Sequence, residues 1–567
     1  MTLRHPFVSL GLYQPIIDRA LADIEHHRIV ARIWAKDFTV WQEEPTEITD
    51  RLGWLDSPKE MMGKLAEIDA LVAAVRADGY THALLLGMGG SSLAPEVFRK
   101  TFGVKEGYPD LEVLDSTTPG AVLAYAERFD VHRTLFIVST KSGGTVETFS
   151  FMKYFYNLVA RALGADQAGR HFVAITDPES RLADLAERYR FRKAFLNDPH
   201  IGGRYSALSY FGLVPAALIG MDVATFLNRA IAMAERESAR GTKNADALTG
   251  AYLGAALGEL ARAGRDKATF VFTPPIASFG DWVEQLIAES TGKKGRGIVP
   301  IVGEPLGSPD AYGDDRVFVF LSLEDGDVDR ERILSFEKAG HPVFAMQIHD
   351  PYDLGGQCFL WEIATAVAGQ RLMINPFDQP DVEAAKILSR EILAQSMEAG
   401  DMPAEVPALS GDDIAVYGDT QAGSPSEALT TFIRQAKPGA YVALQAYIQP
   451  TAETDEALRS LRTQLRDTFH LATMSGYGPR FLHSTGQLHK GDGGRGLFVQ
   501  ITADDLWDAP IPDEMGLFDS SITFGALKNA QASGDRQALI NAGRSIIRFH
   551  LGTDVTGGLK KLTAALG

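Results

Sequence analysis

One cysteine, Cys358, is all that the 567-residue chain contains. It can form no intrachain disulfide and no cysteine-rich zinc site. Its setting, GGQCFLWEIATAVAG, is apolar and helical, which predicts a buried structural thiol in place of a nucleophile. Long apolar runs are missing too. No stretch approaches the ~20 residues that cross a bilayer, and the opening MTLRHPFVSL lacks the apolar centre of a secretory signal. A cytoplasmic protein is expected, with no membrane partner. Positive charge is scarce, with 55 Lys and Arg against 73 Asp and Glu and a net charge of −18. Nonspecific nucleic-acid binding needs clustered cations, so that class is excluded, and an anionic ligand would have to be captured by a few local donors.

What is present is a globular composition, 45% hydrophobic and 23% charged, in a chain too long for one core, since single cores stop growing near roughly 250–300 residues. Residues 1–70 read as an N-terminal helical segment that wraps the rest: QPIIDRALADIEHHRIVARIWAKD has helical apolar spacing. From Thr81 the pattern alternates. ALLLGM, LFIVST and FVAITD each end in a glycine or hydroxyl turn and lead into an amphipathic helix, which predicts a doubly wound parallel α/β domain over 71–240. TFVFTP, RVFVFLSL and PVFAMQI, with helices starting at Asp281, Asp329 and Gly355, repeat the pattern over 241–400. Residues 401–567 read as strand, helix, two strands, helix, strand (βαββαβ), an α+β order like the split βαβ of ferredoxin-like folds. FLHSTGQLHKG, residues 481–491, then falls in a long connection between the two middle strands. Long connections of this kind are usually functional or disordered, and the many reactive side chains of this one favour function.

Five further motifs carry chemistry. LLLGMGGSSLAPEVF ends a strand in Gly87, Gly89 and Gly90, and Ser91 and Ser92 open a helix. Such glycines allow close backbone approach, and a helix N-terminus favours an anion. LFIVSTKSGGTVETFSF sets Thr140, Lys141, Ser142 and Thr145 around a glycine pair at a second strand-to-helix junction. That suits a compact dianion, or else a plain helix start with Thr145 and Glu147 as capping residues. In GGRYSALSYFGLVP, Arg204 follows two glycines, where a guanidinium can steady oxyanion charge or form a surface ion pair. In DWVEQLIAESTGKKGRG, Gln285 and Glu289 share one helical face, and Glu289 at the helix end is a candidate general base or a solvated carboxylate. In MINPFDQPDVEAAK, Gln379 and Lys386 lie two helical turns apart, with Lys386 either functional or a snorkelling lysine.

Together these motifs resemble the phosphoglucose isomerase family over residues 80–390. The resemblance implies two sugar-isomerase (SIS) sandwich domains and interconversion of glucose 6-phosphate and fructose 6-phosphate through a cis-enediol, with no metal or organic cofactor. It assigns phosphate binding to Ser91, Thr140, Lys141, Ser142 and Thr145, close sugar approach to Gly90, and sugar positioning to Gln285 and Gln379. Glu289 would move the proton between C1 and C2, Arg204 would steady the enediolate, and Lys386 would assist ring opening. The family's ring-opening histidine lies in a Leu-His-Ser-x-Gly-Gln motif, matched here by LHSTGQ with His483. The order Glu289, Lys386, His483 departs from the common glutamate, histidine, lysine, and His349 of QIHDPYD is the alternative. Relatives are usually homodimers whose histidine reaches across the subunit interface. The C-terminal motif and the ARIWAKD and RLGWL segments resemble the isomerase half of bifunctional transaldolase/glucose-6-phosphate isomerases. With no room for a barrel before Gly87, isomerase activity alone is expected.

Two other functions compete. Gly143 and Gly144 depart from the family's threonine-rich loop, so the substrate could be another C6-anionic hexose, mannose 6-phosphate or a sulfonated sugar. A non-catalytic sugar-phosphate sensor would keep the anion loops but would not need Glu289, Lys386 and a motif histidine together. His483 and His489, six apart in a loop with few carboxylates, make a poor zinc site, so no metal is expected.

Overall fold

The computed structural model describes residues 6–240, 248–324, 330–399 and 405–566. A short strand, β1 (Phe7–Ser9), precedes the helices Gln14–His26, Ile29–Trp34, Ser57–Met62 and Leu65–Ala77. Five parallel strands follow: β2 (His82–Gly87), β3 (Asp110–Leu114), β4 (Thr134–Ser139), β5 (Phe172–Thr176) and β6 (Lys193–Leu196), in the order β3-β2-β4-β5-β6. The central strand β4 is buried at all six positions, as expected of a strand covered by helices on both faces.

The second sheet takes β7 (Lys267–Phe272), β8 (Val299–Ile301), β9 (Arg316–Leu323) and β10 (Val343–Ile348) in the order β1-β10-β9-β7-β8. All its pairs are parallel except the edge strand β1, which runs antiparallel to β10. The N-terminal segment therefore completes the second sheet as well as wrapping the first. The two sheets share one apolar cluster around the helix Leu354–Arg371, which is buried on nearly every side and carries Cys358 at 1% exposure. Burial raises that thiol's pKa, consistent with a structural role. The helix start expected at Asp329 lies outside the described residues, and the helix is described from Arg330 to Lys338. The domain limits expected at 240/241 and 400/401 also abut or fall on undescribed residues.

The C-terminal unit differs from expectation. It contains β11 (Leu409–Gly411), β12 (Ile414–Tyr417), β13 (Tyr441–Tyr447), β14 (Ala472–Tyr477), β15 (Gly496–Thr502) and β18 (Ser545–His550), in the order β11-β12-β18-β15-β13-β14. The pairs β13–β14, β13–β15 and β15–β18 are all parallel. A ferredoxin-like sheet is antiparallel and inserts a strand between the first two, and neither feature is present. The reason is the connection between the middle strands. Residues 478–495 carry a 3-10 turn (Arg480–His483) and the short helix Gly486–Gly491, so the chain crosses back and re-enters the sheet from the same end, as a hairpin cannot. The third unit is thus a third parallel α/β layer, edged by antiparallel β11 and β12.

This unit is built into the other two. A small ladder of β16 (Pro510–Ile511) and β17 (Ile522–Thr523) leads into the helix Phe524–Asn541. Ala509, Ile511, Met515, Phe524 and Leu527 join the apolar cluster on one face of the first sheet, where Phe524 stacks on Phe151 with ring centroids 5.8 Å apart. Against the second sheet, Arg316 on β9 and Glu304 pair at 3.1 Å and are 0% and 1% exposed. Glu304 also accepts from the backbone N–H (3.1 Å) and hydroxyl (2.6 Å) of Thr473 on β14.

Candidate active site

The three units meet where the turn after β2, the helix Phe279–Thr291, the Asn375–Gln379 turn and the 480–491 connection converge. Gly89 is pressed against the helix Phe279–Thr291 and the 480–491 connection, and Gly90 against the Gly203 backbone. A Cβ on Gly90 would stand 2.0 Å from the Gly203 carbonyl oxygen, and one on Gly89, which has φ +55°, 3.0 Å from the His483 Cβ. The room beside Gly90 is therefore filled by the protein's own backbone. Packing alone thus requires glycine at this position.

Arg204, 4% exposed, is fixed on every side. Its Nε donates to Ser290 Oγ at 2.8 Å, and its terminal nitrogens donate to Gln379 Oε1 (3.2 Å) and to the carbonyls of Pro376 (2.8 Å) and Asp378 (2.9 Å). One of them lies 3.6 Å from Glu289 Oε1. Glu289, on the last turn of its helix, accepts at Oε2 from the Gln285 amide at 3.1 Å, the i, i+4 geometry of one helical face. The same amide donates to the His483 carbonyl at 2.8 Å. Gln285 Oε1 is buried with no protein donor among the described residues, leaving an acceptor for a hydroxyl.

His483 reaches this cluster from the C-terminal unit. Its Nε2 lies 2.9 Å from Glu147 Oε1, with the histidine side chain 18% and the glutamate 4% exposed. Burial pushes the Glu147 pKa up. The charge and hydrogen bond of His483, with Lys386 adding a weaker field, overcome this and hold it below the usual carboxylate value. Gln531 Nε2 donates to the same Glu147 oxygen at 2.7 Å, and Thr117 Oγ1 donates to Gln531 Oε1 at 2.8 Å. Sequence reasoning treated Glu147 as a capping residue and passed over Gln531 and Thr117. The available signal was weak: Glu147 opens the helix Val146–Leu163 two residues beyond the hydroxyl-rich turn.

That turn stands at a helix N-terminus. Thr140 and Thr145 hydroxyls are 3.0 Å apart, and Thr145, the residue before the helix, makes no side-chain cap. Gly143 has φ +62°, and a Cβ there would lie 2.9 Å from the Leu182 nitrogen, so only glycine fits without a shift. Ser142 is exposed and Thr145 half-buried at the mouth. Ser91 is buried, and its carbonyl accepts from Ser139 Oγ at 3.0 Å. Lys141 turns aside: its ammonium bonds the Asp177 carboxylate and the Pro199 carbonyl (2.9 Å).

Lys386, on the helix Glu383–Ala399, is exposed and 3.6 Å from Glu383, near enough to influence Glu147. Lys293 was not foreseen. It is fully buried and donates to Asp378 Oδ1 at 2.8 Å, and burial, with the Arg204 charge, lowers its pKa to about 8. His349 stands elsewhere, on the exposed turn after β10, where its Nδ1 pairs with Glu324 Oε2. His489 is buried against Phe498 and Phe481, and burial lowers its pKa well below the usual imidazole value. Among the described residues, no group of three or more His, Cys, Asp or Glu is arranged to hold a metal ion. No helix among them is long and apolar enough to cross a membrane.

Residues 58–298 match the family model described as phosphoglucose isomerase. A glucose-6-phosphate isomerase from Rubrobacter xylanophilus is 28% identical over 394 residues, 60% of this chain and 89% of the relative. One from Thermus thermophilus is 29% identical over 391 residues, 60% of this chain and 90% of the relative. Among solved structures, a hypothetical protein from Thermus thermophilus superposes with a TM-score of 0.58 at 25% identity, covering 69% of this chain and 100% of the other. A glucose-6-phosphate isomerase from Chlamydia trachomatis superposes with a TM-score of 0.56 at 19% identity, covering 67% and 86%, a likeness of fold. The family match contains both glycine-rich turns, Arg204, Gln285 and Glu289, and ends before Gln379, Lys386 and His483.

Proposed function

We propose, taking the phosphoglucose isomerase pattern of residues 58–298 as premise, that the chain interconverts glucose 6-phosphate and fructose 6-phosphate. The observation that carries the reading is the cluster of Glu289, Arg204, Gln285 and the His483–Glu147 pair within one hydrogen-bonded network. The substrate's phosphate sits at the 140–145 turn, held by backbone N–H groups and by Ser91, Thr140, Ser142 and Thr145. Lys141 supplies charge from behind, shared with Asp177.

In the first step His483 protonates the ring oxygen while the C1 hydroxyl releases its proton to solvent, and the ring opens to the aldehyde. Glu147 keeps the imidazole oriented and neutralises it when charged, and Lys386 adds positive charge at the same end. In the second step Glu289 removes the proton from C2 of the aldose, giving an enediolate whose charge faces Arg204, and returns it to C1 while a proton passes from the C2 oxygen to the C1 oxygen. The guanidinium is held by four hydrogen bonds and needs no reorganisation as charge develops. Gln285 Oε1 accepts from a sugar hydroxyl, and Gln379 borders the same space.

The test is turnover of glucose 6-phosphate, mannose 6-phosphate and a 6-sulfonated glucose by the wild type and Glu289→Gln. Glucose 6-phosphate is expected to be preferred, and the variant to lose roughly 10²- to 10⁴-fold in kcat. Preference for one of the others would reassign the substrate, and no turnover on any of the three would reject the isomerase reading.

A further inference from the structure

We infer that a single chain carries a complete site, with the C-terminal unit supplying in cis the histidine that the family resemblance would take from a second subunit. This rests on the isomerase reading for its consequence, but the geometry is independent of it. Glu147 comes from the first sheet's unit, Glu289 from the helix beside the second, and His483 from the third, and all three lie in one network of one chain.

The third unit is keyed to that position at points flanking His483. Gln487 donates to the Gly292 carbonyl (2.9 Å) and to Asp381 (2.6 Å), and accepts from the Asp381 N–H (2.9 Å). A Cβ on Gly292 would lie 2.3 Å from the Leu488 Cα, so the two backbones are in direct contact. Gln531 donates to Glu147 itself. The covalent path agrees. The helix Glu383–Ala399 packs on Phe524–Asn541, where Gly534 has no room for a side chain beside Ser389. Glu405 pairs with Arg536 (2.6 Å) and Arg548 (3.4 Å) of the same unit. The helix Glu383–Ala399 and Glu405 thus both rest on the C-terminal unit. Whatever assembly the protein adopts, each site is completed by its own chain.

Two experiments test this. Glu289→Gln and His483→Ala are coexpressed with different tags and the doubly tagged species isolated alongside the mixture. Activity no greater than the sum of the two variants is expected. Recovery of roughly a quarter of the wild-type specific activity in the mixture, the share of intact sites in randomly paired symmetric dimers, would overturn the proposal. The second needs no turnover, so it stands even if the isomerase reading fails. The full chain carrying Glu147→Cys and His483→Cys is treated with dibromobimane, which fluoresces when both arms alkylate thiols. On a denaturing gel the fluorescence is expected in the single-chain band. Fluorescence confined to a band of two linked chains would show that the histidine is exchanged between copies.

Discussion

Glu147 shows how one side chain changes meaning with its neighbour. In the sequence it is a carboxylate in a first helical turn, with a ready explanation in capping and the helix dipole. In the fold it is buried and bonded to His483 and Gln531. Glu147→Gln keeps shape but removes the charge that orients and balances the imidazole. It is expected to lower kcat by roughly tenfold or more with little change in KM, while His483→Ala loses about 10²- to 10⁴-fold on the cyclic sugar. Steady-state kinetics on both variants checks the pair, and full activity of His483→Ala would remove this histidine from the reaction. Glu284, one residue from Gln285, gives a stability prediction. Burial, with Asp281 nearby, raises its pKa from 4.5 to about 8. Between those values the folded state holds a proton that the unfolded state releases, so this group's contribution falls as pH rises from about 4.5 to 8 and is flat on either side. Glu284→Gln should therefore gain in melting temperature over the wild type progressively through that window. An offset independent of pH would show that the group titrates normally.

At the scale of elements, the parallel strands of the first two sheets were readable because buried strands are continuous apolar runs, such as TLFIVS of β4 and the VFVFLSL run of β9. The strands missed, β1, β3, β6 and β8, are three to five residues long, too short for an apolar pattern to stand out. The order of elements after residue 440 was readable as well, but strand direction was not. It depends on whether residues 478–495 make a hairpin or a crossover, and a six-residue helix stabilised by docking leaves little trace in a sequence. That helix is held against Gly292 by backbone contact. Gly292→Ala is thus expected to cost about 1–3 kcal/mol through overpacking, and to lower activity by displacing the His483 turn. Chemical denaturation and kinetics on the same variant test both, and an unchanged denaturation midpoint would mean that the contact gives way without strain.

For the whole molecule, the third unit is held partly by buried charge. Arg316→Met would strand Glu304, which is 1% exposed on its side chain, and a broken buried pair costs about 3–5 kcal/mol. Arg316→Met/Glu304→Leu should recover part of that loss, because the uncompensated carboxylate is gone, although Thr473 then loses its acceptor and buried Arg462 a facing charge. Equal denaturation midpoints for the single and double variants would show that an unpaired Glu304 is not what destabilises the single one. The sequence by itself determined the layered α/β character and the two glycine-rich strand-to-helix turns, because these follow from periodicity and from motifs contiguous in the chain. Only the tertiary structure decided that His483 meets Glu147, that Lys141 faces Asp177, that Gly90 makes room for the Gly203 backbone, and that the C-terminal sheet is parallel. These are contacts between segments up to 336 residues apart, set by how three layers pack, and no local pattern encodes them.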